Sequence, residues 1–112
     1  SYSVALRYRG ASPGPQVELT TIDELVSELR LERVDFIKMD IEGSERAALA
    51  GGAQTIRRFK PRLTISVEHR YDDPLVIPKT VESIDAGYQS APGRCIELSA
   101  GLRPAVISFW GR

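Results

Sequence analysis

The chain has 112 residues, enough for one domain of ordinary size and too few for two. Fifteen basic and fifteen acidic side chains cancel, so nothing drives non-specific binding to nucleic acid, and no apolar run is long enough to span a bilayer. A hydrophobic content of 42% is that of a folded domain, not of a disordered one.

Along the chain, Val4, Leu6 and Tyr8 fall on one side of a short strand over residues 2–8. The Gly- and Pro-rich stretch over 10–15 reads as a loop, and residues 17–20 as a brief β-prone run. Thr21-Ile22-Asp23-Glu24 has the capping-box form, and Leu25, Val26 and Leu29 continue at helical spacing, so a helix is expected over 22–30. A strand is expected over 34–41. Gly43 then allows a tight turn, Ser44 can cap, and Glu45 favours the positive end of a helix reaching about residue 50. Gly51-Gly52 interrupts the pattern before a second short helix over 53–59, which ends ahead of Pro61. Arg57, Arg58, Lys60 and Arg62 read as a solvated helix end whose cations complement the helix dipole.

Residues 63–68 alternate apolar with small polar side chains, the pattern of a strand. Asp72-Asp73-Pro74 is a loop, and Ile77, Val81 and Ile84 define a helix that Gly87 is placed to end. Residues 94–99 and 105–110 are two further strands, and the five residues between them suit an antiparallel hairpin. Helices alternating with strands imply a mostly parallel sheet covered by helices, finished by that hairpin. Cys95 is the only cysteine, so no intrachain disulfide forms and a reducing, cytoplasmic compartment is expected. Its apolar neighbours make it a packed small hydrophobe. The start at Ser1, without Met or a signal-peptide pattern, is that of a processed chain or a piece of one.

The chemistry points to the first predicted strand, where an apolar-rich run ends in Asp40, Glu42 and Gly43. Ligands of parallel α/β sheets bind at the carboxyl ends of strands, so these acids face the mouth of a site. The next strand also ends in an acid, Glu68, beside the only histidine, His69. Three oxygen donors and an imidazole can bind a divalent cation, Mg²⁺ being favoured by carboxylates, or supply a base that takes a proton from a hydroxyl. Simpler roles compete: Asp40 as a loop-capping carboxylate, Glu45 as a helix N-terminal stabiliser, His69 as a structural side chain. Lys38 shares a strand face with Asp40. In a buried central strand it needs an anionic partner, on a neighbouring element or in the site.

Thr21-Ile22-Asp23-Glu24-Leu25, the core from Asp35 through Lys38-Met39-Asp40-Ile41-Glu42-Gly43-Ser44-Glu45, the Gly51-Gly52-Ala53 step and Pro61-Arg62-Leu63 closely resemble the FkbM-type methyltransferases. Order and spacing match over roughly residues 17–88. The resemblance implies a class I (Rossmann-like) fold that uses S-adenosylmethionine, with strand order 3-2-1-4-5-7-6 and strand seven antiparallel. It implies methyl transfer to a hydroxyl oxygen, often on a sugar or a polyketide-like product. Residues 34–41 then correspond to strand four, 63–68 to strand five and the terminal hairpin to strands six and seven. Small O-methyltransferases of this fold hold Mg²⁺ with acids from strands four and five, which by position are Asp40, Glu68 and His69 here. Asp40, Glu42 and His69 are accordingly expected as catalytic groups, and Lys38, Glu45 and Glu68 at the substrate.

The Gly-rich turn and ribose-binding acid of the cofactor half have no counterpart in the sequence, so the chain is expected to be the C-terminal half of such a domain. Strand four then presents a bare edge, which favours pairing with a second copy, and the isolated chain is expected to be inactive. An inactive remnant or interaction module of the same fold is the rival. A chitinase-like glycoside hydrolase, suggested by Asp35-x-x-Lys38-x-Asp40-x-Glu42, is disfavoured because Lys38 replaces an acid and the barrel needs about twice the length.

Overall fold

The computed structural model describes residues 18–99 and 101–111, so the strand expected over 2–8 and the loop over 10–15 lie outside the described residues. In chain order the elements are α1 (Ile22–Glu28), β1 (Phe36–Met39), α2 (Glu45–Gly51), α3 (Ala53–Phe59), β2 (Arg62–Ser66), α4 (Asp73–Ile84), β3 (Gln89–Pro92), β4 (Cys95–Leu98), β5 (Gly101–Pro104) and β6 (Val106–Trp110). Four strands form one sheet in the order β1-β2-β6-β3, and β4 with β5 forms a separate ribbon.

Alternation along the strands separates the two faces of the sheet. Ile37 and Met39 pair with Leu63 and Ile65, which pair in turn with Phe109 and Ile107. This face meets Leu49, Ile56, Ile77, Val81 and Ile84 from the helices, so one layer of helices and one of sheet enclose a single core. The opposite face carries Phe36, Lys38, Thr64 and Ser108, and there the Thr64 and Ser108 hydroxyls lie 3.4 Å apart.

The helices are tied together at their ends. The capping box forms as the sequence requires: Thr21 Oγ1 accepts from Glu24 N at 3.1 Å, and Glu24 Oε2 accepts from Thr21 N at 3.4 Å. Asp23 reaches across to the start of α3, where Oδ1 accepts from Thr55 N at 2.8 Å and from Thr55 Oγ1 at 2.6 Å, and Oδ2 from Gln54 N at 3.2 Å. This close approach explains the paired glycines. A Cβ on Gly51 would lie 2.9 Å from the Thr21 Cβ, and one on Gly52 would lie 3.0 Å from Ile22 Cδ1. Since Asp23 serves two orphan amides of α3, Asp23→Ala is expected to lower unfolding free energy by about 1–2 kcal/mol in a urea titration. An unshifted midpoint would show the cap to be idle.

Five expectations are corrected. The sheet is mixed, not mostly parallel: β1–β2 is its one parallel ladder, and β6 runs antiparallel to both β2 and β3. The neighbour of β6 in the sheet is Gln89–Pro92, a polar, Pro-ended edge strand that alternation does not reveal. Residues 95–98 instead pair with 101–104, the latter expected as a loop, in a hairpin that stands off the sheet. Cys95 is therefore exposed and not packed. Lys38 is also exposed and makes no salt bridge among the described residues, because there β1 has only β2 beside it and nothing covers its outer face.

Candidate functional site

Because β1 and β2 are parallel, Asp40 and the segment after Ser66 emerge at the same edge of the sheet. The chain leaves β1 through a turn in which Ser44 N donates to Ile41 O at 3.3 Å. Both central residues have left-handed backbone, Glu42 at φ 57° and Gly43 at φ 99°. Glycine does this freely, but a glutamate in that conformation carries strain of about 1–2 kcal/mol. Backbone strain of this kind concentrates at functional sites.

Glu45 holds the turn closed. Its Oε1 accepts from Ile41 N at 3.0 Å and its Oε2 from Gly43 N at 3.1 Å. Oε1 also lies 3.0 Å from His69 Nδ1, and Ser66 Oγ is 3.5 Å from the same nitrogen. Glu45 is only 1% exposed. Ser44 occupies the N-cap of α2, yet its side chain makes no capping bond, and Glu45 takes over the local amides.

The far side of the imidazole faces the mouth. His69 Nε2 is 3.5 Å from Asp40 Oδ1 and 3.5 Å from Glu42 Oε2. The His69 side chain is 15% exposed, against 59% for Asp40 and 77% for Glu42. One imidazole is thus gripped from below by a buried carboxylate and approached from above by two accessible ones. Desolvation disfavours its charge, but the Glu45 carboxylate, with Glu42 and Asp40 behind it, outweighs burial and raises His69 above its ordinary 6.5. The folded state then binds this proton more tightly than the unfolded chain, so its stabilising contribution is complete below pH about 6.5 and is lost as pH rises through the raised value. Urea midpoints are expected to fall on going from mildly acid to mildly alkaline solution. His69 is the only histidine, so His69→Gln should remove that slope; an equal slope in the variant would assign it elsewhere.

Of the residues read from the sequence, Asp40, Glu42, Glu45 and His69 come together. Glu68 does not: it is exposed, and the three ligand-bearing side chains within 4.8 Å of one another are Asp40, Glu45 and His69. Glu45 faces protein donors instead of a substrate, and Lys38 lies on the outer face of β1 without joining the cluster. The donor set does not fit Mg²⁺. Nδ1 and Glu45 are committed to hydrogen bonds, so the only three-group cluster among the described residues loses one of its two carboxylates. The groups left free are the exposed Asp40 and Glu42 with the Nε2 nitrogen, which Mg²⁺ does not favour.

Sequence reasoning missed the surrounding braces. Arg70 Nε donates to Gly43 O at 3.1 Å, and Arg70 N to Asp73 Oδ2 at 3.2 Å. Asp73, fully buried, also accepts from Arg46 Nε at 2.9 Å, joining α2 to α4. Only the Arg and Asp content of these segments hints at such pairs. The basic cluster is spread over several partners: Arg57 Nε donates to Ile84 O at 3.0 Å, Lys60 pairs with Asp85, and Arg58 lies over the Phe59 ring.

Among the described residues no helix is long and apolar enough to cross a membrane. No curated protein matches the chain. Its fold is similar to the crystal structure of Methyltransferase FkbM from Methylobacillus flagellatus KT, with 34% identity and a TM-score of 0.63 over 80% of this chain. The chain spans 22% of that protein's length. The family model for the methyltransferase FkbM domain matches residues 6–89, so the chain belongs to the FkbM methyltransferase family.

Proposed function

We propose that β1, β2, β6 and β3 are strands four, five, seven and six of a class I methyltransferase sheet, in the C-terminal half of the domain, and that the acid–histidine cluster serves O-methylation of a hydroxyl on a sugar or natural product. The observation that carries this reading is His69, held through Nδ1 on buried Glu45 with Nε2 turned toward two accessible carboxylates. A nitrogen facing a carboxylate at 3.0 Å carries the proton, so neutral His69 presents a lone pair at Nε2. Outweighing desolvation, the carboxylates around it raise its pKa and so its strength as a base. Asp40 and Glu42 accept hydrogen bonds from neighbouring hydroxyls of the same substrate and orient it, which leaves the proton of the reacting hydroxyl to His69. His69 Nε2 takes the proton as the oxygen becomes nucleophilic.

S-adenosylmethionine, the cofactor of the family, supplies an electrophilic methyl group. Two surface depressions among the described residues lie away from this cluster: one is lined by Lys60, Arg62, Trp110 and Gly111, and the other lies between α1 and α3. Neither is lined by Asp40 or His69, and the family's S-adenosylmethionine belongs to the cofactor half of the fold. In the proposed strand order its half of the fold adjoins the outer edge of β1, where Phe36 is 56% exposed. The same edge also suits pairing with a second copy.

Asp40→Asn tests the reading in the enzyme that carries this sheet. Transfer of labelled methyl groups to a panel of hydroxyl compounds is expected to fall about 100-fold or more, with the melting temperature nearly unchanged because Asp40 is exposed. Wild-type turnover by that variant would refute the assignment.

A further inference from the structure

We infer that Arg103 is a positioning residue for this site, reaching from the β4–β5 hairpin to the segment that carries His69 and fixing where the imidazole stands. The inference rests on the reading of His69 as the base for its functional meaning, though not for its test.

The topology brings the two together. Val106 lies opposite Ser66 in the antiparallel β2–β6 ladder, so the residues just before β6 stand at the carboxyl end of β2, beside the acids. There Val67 N donates to Ala105 O at 2.8 Å. Arg103 Nη2 then donates to Val67 O at 3.3 Å and to Arg70 O at 2.6 Å, and its guanidinium lies 5.5 Å from the centre of the Tyr71 ring. Val67 and Arg70 bracket His69, whose own amide and carbonyl make no hydrogen bond among the described residues. The place of the imidazole is therefore set by its neighbours' anchors. Arg70 supplies anchors to Gly43 and Asp73, Asp73 N holds the Arg70 carbonyl at 3.2 Å, and Arg103 bridges the carbonyls on both sides of His69.

The form of the contact suits a tether. The terminal Nη2 alone bridges the two carbonyls, while the guanidinium faces the Tyr71 ring. Its Nε is buried without a partner, an unfavourable state that is tolerated because the rest of the guanidinium is held by the loop. Tyr71 is 92% exposed, so the stacked pair stands at the surface beside the mouth and is not part of the core. The hairpin that leaves the sheet is thereby connected to the reactive side chain.

The single histidine gives one imidazole spectrum, so the test needs no turnover. In the ¹⁵N-labelled chain near freezing, the Nδ1–H held by Glu45 is expected to appear as a downfield ring proton protected from exchange. Arg103→Met is expected to abolish that resonance while far-ultraviolet circular dichroism stays that of the folded chain. If Arg103→Met does not fold, Arg103→Gln, which stays polar but is too short to bridge the two carbonyls, is measured in its place, and the same loss is expected. An unchanged ring resonance in a folded variant overturns the tether whether or not the enzyme methylates. Absence of methyl transfer by the unaltered enzyme would overturn the reaction and leave the tether standing.

Discussion

Glu45→Ala is expected to lower the unfolding free energy by about 3–5 kcal/mol, since each buried donor left without an acceptor costs about 1–3 kcal/mol. The glutamate is nearly inaccessible and serves three groups at once: the Ile41 and Gly43 amides and the His69 ring. Alanine leaves all three without their acceptor and lets the strained Glu42–Gly43 turn relax. Since small domains are stable by only about 5–15 kcal/mol, the variant should be close to unfolded at 37 °C. Glu45→Gln separates shape from charge. Its carbonyl can accept from one amide, but its NH₂ must then face another donor, so about half the loss is expected. Urea unfolding followed by circular dichroism reads both. An alanine variant within about 1 kcal/mol of the parent would mean that the turn closes without its carboxylate.

The second large effect is on turnover. His69→Gln in the enzyme that carries this sheet should reduce kcat by about 100- to 10,000-fold, the usual contribution of a positioned proton acceptor. The pH dependence identifies the role more sharply than the loss. A base must be neutral to act, so the parent's rate should climb as pH rises through the raised His69 pKa, and the residual rate of the variant should not. Stability moves the opposite way, because the proton that blocks catalysis is the one that binds the three carboxylates together. The enzyme is expected to be most robust where it is least active. Parallel trends in rate and stability would remove His69 from the base's role.

What the sequence disclosed follows from how local each signal is. The α1 capping box, the strand expected over 34–41 and the short helix before Pro61 are written in consecutive residues, and all of them form, the strand as Phe36–Met39. Asp40, Glu42 and His69 were legible as neighbours because parallel strands bring their carboxyl ends to one edge. Glu68 misled, since adjacency to His69 in sequence sends the two side chains to different surroundings, and only His69 reaches the acids. Lys38 misled because burial was inferred from strand type, whereas this strand is an edge among the described residues. The hairpin was unreadable for another reason. Residues 89–92 are polar enough to look like loop, and residues 95–98 apolar enough to look like sheet, yet the ladder with β6 takes the former. Arg103 and Asp23 act over long sequence separations, which no periodicity records.

The order β1-β2-β6-β3 also has a consequence for how the chain is made. The last strand in the sequence lies between two earlier ones, so on a ribosome β2 and β3 wait with unpaired edges until Trp110 has cleared the exit tunnel. The pairing of Leu63 with Phe109 closes a loop of more than forty residues, and such distant contacts form slowly. The parallel β1–β2 unit with its intervening helices can assemble first, since synthesis at about 5–20 residues per second leaves it seconds to do so. During that interval the open flank of β2 is the part of the nascent chain most in need of a chaperone.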